Sequence, residues 1–185
     1  MEHAVVFAGF GGQGILFAGR VLAHAAMSEG REVIWIPSYG PEMRGGTAAC
    51  TVIISDAPIG SPVVDRLEAA VLLNPPSLEK YGPRVASGGI IVVNSTLAIA
   101  EVGRADVDEV RVACTAVARE AGDDHLVSIV ALGALLARRP LVAPASVRAA
   151  LQAIVGQARP EMLSADIAAF DLGVAQVAQG ASPVA

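Results

Sequence analysis

Aromatic residues make up only 4% of this 185-residue chain, and it carries just two cysteines and three histidines. Each scarcity removes a class of chemistry. A ferredoxin-type iron–sulfur cluster takes roughly four thiolates, usually close together in the chain, whereas Cys50 and Cys114 stand far apart. His3, His24 and His125 lack the i, i+4 spacing that lets two imidazoles hold one metal from a helix face, so no metal site is expected. Lys and Arg nowhere cluster with aromatics, and the formal net charge is −5, which argues against nucleic acid as a partner. The longest apolar run, Leu126 to Ala137, is about half of the roughly 20 residues a spanning helix needs, and Arg138-Arg139-Pro140 ends it. A buried helix is expected there, and no membrane partner. The opening Met1-Glu2-His3 enters an apolar strand with neither a basic n-region nor a small-residue cleavage site, which predicts a cytoplasmic chain.

What the chain has in abundance is Ala, Val, Leu and Ile, within a hydrophobic content of 54%. That mixture suits buried parallel strands covered by helices. A length of 185 residues fits one hydrophobic core, so we expect a single domain over 1–185, with about 178–185 as a frayed tail. Ala4 to Ala8 predicts a strand, Gly9 to Gly14 a turn, and Ile15, Ala18, Leu22, Ala25 and Ala26 a helix. Glu32 to Pro37 has the β-branched and aromatic content of a second strand, which makes an opening βαβ unit. Cys50 to Ile54, Ala69 to Leu73 and Gly89 to Val93 read as further strands, with Val110 to Cys114 a weaker sixth. Helices are expected over Pro76 to Tyr81, Leu126 to Ala137, from Pro144, and over Glu161 to Val177. The fold class is therefore α/β, Rossmann-like, with a mostly parallel sheet, helices on both faces and a helical C-terminal part.

Gly9, Gly11 and Gly14 match the dinucleotide fingerprint G-x-G-x-x-G after a strand and before a helix. Such a turn brings backbone N–H groups to a helix N-terminus, where an anion is favoured. Binding of a phosphate or pyrophosphate there competes with the simpler role of close strand-to-helix packing. Gln13, beside Gly12, adds two donors and an acceptor at the mouth of the turn. The fingerprint also needs an acidic residue near the end of the second strand, and Trp35-Ile36-Pro37-Ser38-Tyr39 offers none. That counts against an NAD(P)-dependent oxidoreductase.

The most distinctive stretch is the connector Pro37-Ser38-Tyr39-Gly40-Pro41-Glu42-Met43-Arg44-Gly45-Gly46-Thr47-Ala48-Ala49-Cys50. Prolines and glycines shape such a loop in advance, and Arg44 can present a planar fork to a carboxylate or phosphate, with Glu42 two residues away. Gly11 within the turn is expected to need positive φ, so that Gly11→Val should disturb folding. No nucleophile stands paired with a base, so no catalytic residue is assigned to this chain. It reads as a contributor to another polypeptide's active site. A non-enzymatic oligomeric scaffold is the other alternative.

GFGGQGILFAGRVLAHAAMSEG followed by PSYGPEMRGGTAACTVIIS closely resembles the gamma subunit of 2-oxoacid:ferredoxin oxidoreductases. The resemblance is strong over Val5 to Pro62 and continues through Leu132 to Leu136 as far as Gly173. The loop looks like that of 2-oxoglutarate and 2-oxoisovalerate members and favours 2-oxoglutarate. The resemblance implies one pyruvate/ketoisovalerate oxidoreductase gamma-type domain in an assembly that decarboxylates a 2-oxoacid, passes the acyl group to coenzyme A and reduces ferredoxin. It implies thiamine diphosphate, magnesium and iron–sulfur clusters in alpha, beta and sometimes delta partner subunits, and no redox cofactor in this chain. By the same resemblance Gly9, Gly11, Gly12, Gln13, Gly14, Ser38, Tyr39, Gly40, Glu42, Arg44, Gly45, Gly46 and Thr47 face coenzyme A or a partner subunit. An isolated chain, its partner surface bare, is expected to form a homodimer. Departures from the family pattern fall at Ser128 and Asp166, where asparagine is common.

Overall fold

The first apolar run forms β1 (Glu2–Phe10), which buries both of its faces: Val5 and Phe7 on one side, Ala4, Val6 and Ala8 on the other. A strand apolar on both sides belongs in the middle of a covered sheet. The computed structural model describes residues 1–38, 47–98, 100–156 and 159–180, and it places β1 centrally. The other strands are β2 (Glu32–Ser38), β3 (Thr47–Ser55), β4 (Leu67–Leu72), β5 (Val85–Asn94) and β6 (Asp108–Val112). They form one sheet in the order β2-β3-β1-β4-β5-β6.

β4, β5 and β6 run parallel to β1, while β3 is antiparallel to both β1 and β2. The sheet is thus mostly parallel, as expected, with one reversed strand. β2 is an edge strand, where Pro37 lacks an N–H at no cost to a ladder on its open side.

The helices are α1 (Ile15–Ser28), α2 (Pro75–Tyr81), α3 (Cys114–Glu120), α4 (Val127–Arg138), α5 (Pro144–Ile154) and α6 (Pro160–Gly180). Both faces of the sheet carry helix, but unequally. The Val5 and Phe7 face packs against α1, α3, α4, α5 and α6 through residues such as Leu22, Val117, Leu132, Val147 and Phe170. The opposite face is covered by α2, a one-turn 3-10 helix (Gly82–Arg84) and coil, through Leu78, Tyr81, Val64, Ala98, Val102 and Val107.

Two close approaches set the thick layer. A Cβ on Gly19 of α1 would collide with Cys50 Sγ of β3 and come within 3.2 Å of Trp35 Nε1 on β2. A Cβ on Gly133 of α4 would meet the Phe170 carbonyl, and one on Gly173 of α6 the Val130 carbonyl, so these two helices cross with their backbones nearly touching.

Some boundaries differ from expectation. The sixth strand spans Asp108–Val112 rather than Val110 to Cys114, because Cys114 already opens α3. The alternation of Val110, Val112 and Cys114 simply continues across the junction. Leu126 belongs to a 3-10 turn (Asp124–Leu126) ahead of α4, and α2 starts at Pro75, capped by the Asn74 side chain. The last helix continues through Gly180, and 181–185 lie outside the described residues.

Candidate functional site at the carboxyl end of the sheet

In an open α/β sheet, helices that leave neighbouring strands on opposite faces create a crevice at the strands' carboxyl ends. Here that point lies between β1, whose helix α1 packs on the thick face, and β4, whose helix α2 packs on the thin one. The glycine turn is at its mouth.

Gly9 is the packing glycine: a Cβ there would lie 2.5 Å from Gln13 Oε1, 2.9 Å from Ile15 Cδ1 and 3.1 Å from Leu73 Cβ. Gly14 caps α1 in the left-handed region, at φ 74°, and its carbonyl accepts from Ser128 Oγ at 2.9 Å. Gly12 has φ 91°, and its carbonyl accepts from His125 Nδ1 at 2.9 Å, which fixes that nitrogen as the donor. Gln13 turns its carboxamide oxygen back onto the Phe10 N–H at 2.7 Å, while its own N–H donates to the Phe10 carbonyl at 3.3 Å. The turn is therefore braced from within by Gln13 and from behind by the 3-10 turn Asp124–Leu126 and the start of α4.

In front, among the described residues, it is bare. A Cβ on Gly11 or Gly12 would have nothing within 4 Å. Gly11 is also absent from the glycines of positive φ, so the expectation that Gly11→Val would disturb folding loses both of its steric reasons.

Both ends of the distinctive connector arrive at this mouth. Thr47, the first residue of β3, pairs in register with Phe10, and Ser38, the exposed last residue of β2, pairs with Ala49. Tyr39, Gly40, Glu42, Arg44, Gly45 and Gly46 lie outside the described residues. Strand order also bears on the dinucleotide hypothesis. The place beside β1 that the second strand would occupy in a dinucleotide fold is filled by β3, so β2 ends one strand spacing further away, about 4.8 Å. Glu32 begins β2 at the opposite end of the sheet.

Sequence reasoning missed the polar groups that the neighbouring strands bring to the same edge. Asn94, at the end of β5, donates to the Leu73 carbonyl at 3.3 Å and to Thr115 Oγ1 at 2.8 Å, and accepts from the Thr115 N–H at 3.2 Å. It ties β4, β5 and α3 together. Asn74 accepts from the Ser77 N–H at 2.9 Å, yet its Nδ2 and Ser77 Oγ are buried without a hydrogen-bond partner among the described residues. The Asn-Pro-Pro sequence was the available signal for that cap. Nothing local announced that His125 and Ser128, more than 110 positions away, would buttress the turn.

The buried ionisable groups are poor reagents. Burial pushes the Cys50 and Cys114 thiols up to about 12, so neither is a thiolate at neutral pH. Burial first, and then the charge of Asp123, push the Asp166 carboxyl on α6 up to about 6. Among the described residues no group of three or more His, Cys, Asp or Glu side chains could hold a metal ion. With two buried thiols on separate elements, the donor set does not fit an iron–sulfur cluster. Among the described residues no helix is long and apolar enough to cross a membrane.

Residues 4–176 match the family described as pyruvate ferredoxin/flavodoxin oxidoreductase. The chain belongs to this family. It is similar to the ketoisovalerate oxidoreductase subunit VorA of Methanothermobacter thermautotrophicus, at 46% identity over 136 residues. That match covers 74% of this chain but only 28% of the relative, so the chain spans little more than a quarter of that protein's length. The 2-oxoglutarate synthase subunit KorC of Methanothermobacter marburgensis is 33% identical and is matched over 97% of this chain and 99% of its own. A solved 2-oxoglutarate:ferredoxin oxidoreductase from Magnetococcus marinus, with 2-oxoglutarate, coenzyme A and succinyl-CoA bound, shares the fold. Its TM-score is 0.87 at 23% identity, over 98% of this chain and 32% of that one. The chain is thus matched both by a relative of about its own length and by part of longer polypeptides.

Proposed function

We propose that this chain is the gamma-type subunit of a cytoplasmic 2-oxoacid:ferredoxin oxidoreductase, with 2-oxoglutarate as the favoured substrate. It supplies a face that helps enclose coenzyme A and docks onto the catalytic subunits. Thiamine diphosphate, magnesium and iron–sulfur clusters belong to the alpha, beta and, where present, delta partners, which also reduce ferredoxin. The near full-length match to a 2-oxoglutarate synthase subunit and the coenzyme A in a protein of the same fold support this assignment.

The observation that carries it is the glycine turn, braced by Gln13, His125 and Ser128 and, among the described residues, open in front of Gly11 and Gly12. A turn that served only to pack strand against helix would need glycine at Gly9 and Gly14, where a Cβ meets other atoms, and not at Gly11. Bare backbone at a crevice lets a ligand or partner approach closely. The two roots of the connector, Ser38 and Thr47, end their strands at this same edge, and we assign Glu42 and Arg44 between them to the same face.

Gly11→Val tests this. The chain should fold and melt as the parent does, while the assembled enzyme should show a KM for coenzyme A raised at least several-fold. An unchanged KM, with the 2-oxoacid and ferredoxin kinetics equally unmoved, would contradict the role of the turn.

A further inference from the structure

The thin face of the sheet holds a second concavity, on the opposite side of the sheet from α1. Between α2 and the coil that follows β5 is a cleft of about 350 Å³, floored by Pro75, Leu78, Pro83, Ala98 and Val102. That size falls at the low end of protein binding clefts, roughly 300–1,000 Å³.

Its coil wall is tightly fastened. Arg104 donates to the Gly82 carbonyl at 3.2 Å and the Val85 carbonyl at 2.6 Å, and pairs with Asp106. Arg111 donates to the Ala98 carbonyl at 2.8 Å, the Ala100 carbonyl at 3.0 Å and Glu109 at 2.8 Å. Glu109 in turn accepts from the Val102 N–H at 3.1 Å. Six or more polar bonds hold a coil that has no regular structure of its own, so the cleft is shaped before anything enters it.

Its rim is acidic. Glu79 and Glu101 line the opening, both exposed, and among the described residues neither has a hydrogen bond or ion pair. The nearby cations make other contacts: Arg104 is held as above, Lys80 and Arg84 lie over the Tyr81 ring at 5.3 and 5.8 Å, and Arg84 also donates to the Val64 carbonyl at 2.8 Å. Leu97, 40% exposed, stands at the start of the same coil.

We infer that this cleft is a second docking surface, and that it receives a segment of a partner subunit presenting an apolar side chain flanked by Lys or Arg. Apolar floor and unpaired carboxylates at the rim are the complement of such a segment. The inference rests on the proposed function, because the occupant is one of the companion polypeptides.

The test uses the full chain with its companion subunits. Glu79→Lys with Glu101→Lys should leave the chain's circular dichroism and melting unchanged, weaken its association with those subunits at least tenfold, and flatten the dependence of that association on salt. A photo-crosslinker at Leu97 should capture a companion-subunit peptide holding an apolar residue beside Lys or Arg. Parent-like association of the doubly substituted chain, or a crosslink only to a second copy of this chain or to an acidic peptide, would overturn the inference while leaving the proposed function standing. If even the parent chain fails to associate, the proposed function falls and this docking surface falls with it.

Discussion

Asp166 is a carboxylic acid whose protonation is set by burial. Its carboxyl is buried on α6, shares its region with Asp123, and titrates at about 6 against an ordinary 3.8. The folded state therefore binds a proton that the unfolded chain has already lost between about pH 4 and pH 6. The resulting stabilisation is complete below pH 4, declines as pH rises through 6, and is gone above it. Asp166→Asn removes the burden of an ionised buried group. Melting curves should show the variant more stable by about 1–3 kcal/mol at pH 7.5 and equal to the parent near pH 4. A variant no more stable at pH 7.5 than at pH 4, relative to the parent, would mean that Asp166 is well solvated.

Ser128, the other departure from the family pattern, has a definite role. Its hydroxyl binds the Gly14 carbonyl, and it lies 2.6 Å from where a Gly14 Cβ would stand. Ser128→Ala should cost about 1 kcal/mol of stability and loosen the turn, measurable as faster amide exchange at residues 12–15. Exchange rates equal to the parent's there would show that the turn is held by other contacts. At this scale the sequence was only partly legible. Glycine spacing exposes a turn, but not which glycine packs against its neighbours; that distinction depends on Leu73, His125 and Ser128, which come from just after β4, the 3-10 turn ahead of α4 and the start of α4.

Among the elements, the α4 and α6 crossing is the least forgiving. With Gly133 opposite the Phe170 carbonyl and Gly173 opposite the Val130 carbonyl, an added methyl group meets rigid backbone and not the mobile end of a side chain. Gly173→Ala should destabilise the chain by about 2 kcal/mol or more, despite alanine's better helix propensity. A denaturant midpoint at or above the parent's would contradict this packing.

Strands and helices themselves were legible because each is an apolar run or a 3.6-residue stripe bounded by glycine, proline or asparagine. What stayed hidden was direction. The run from Cys50 to Ile54 alternates in the same way whether β3 runs parallel or antiparallel, so nothing local showed that it would reverse and insert between β1 and β2. That insertion brings both roots of the connector 38–47 beside the glycine turn, and it leaves no room there for the second strand that a dinucleotide site requires.

On the scale of the whole molecule, the asymmetry of the sheet matters most. One face is thickly covered by five helices; the other has a two-turn helix, coil and an acidic-rimmed cleft. At the carboxyl edge the roots of the connector, Ser38 and Thr47, end near the glycine turn. Arg44→Ala is expected to leave the chain folded and to lower 2-oxoacid-dependent ferredoxin reduction in the assembled enzyme by tenfold or more, since a planar fork is not replaced by a methyl group. Turnover and coenzyme A dependence like the parent's would remove the loop from the site. In the sequence, two cysteines far apart and no nucleophile paired with a base are what point to companion polypeptides for the redox and acyl chemistry.

The most direct test is reconstitution. Companion subunits bearing thiamine diphosphate and iron–sulfur clusters are assayed for 2-oxoglutarate- and coenzyme A-dependent ferredoxin reduction, with and without this chain. The chain alone should give no turnover and bind no NADH, and its addition should restore coenzyme A-dependent reduction to the companions. Turnover by the solitary chain, tight NADH binding to it, or companions that work equally well without it would contradict the account.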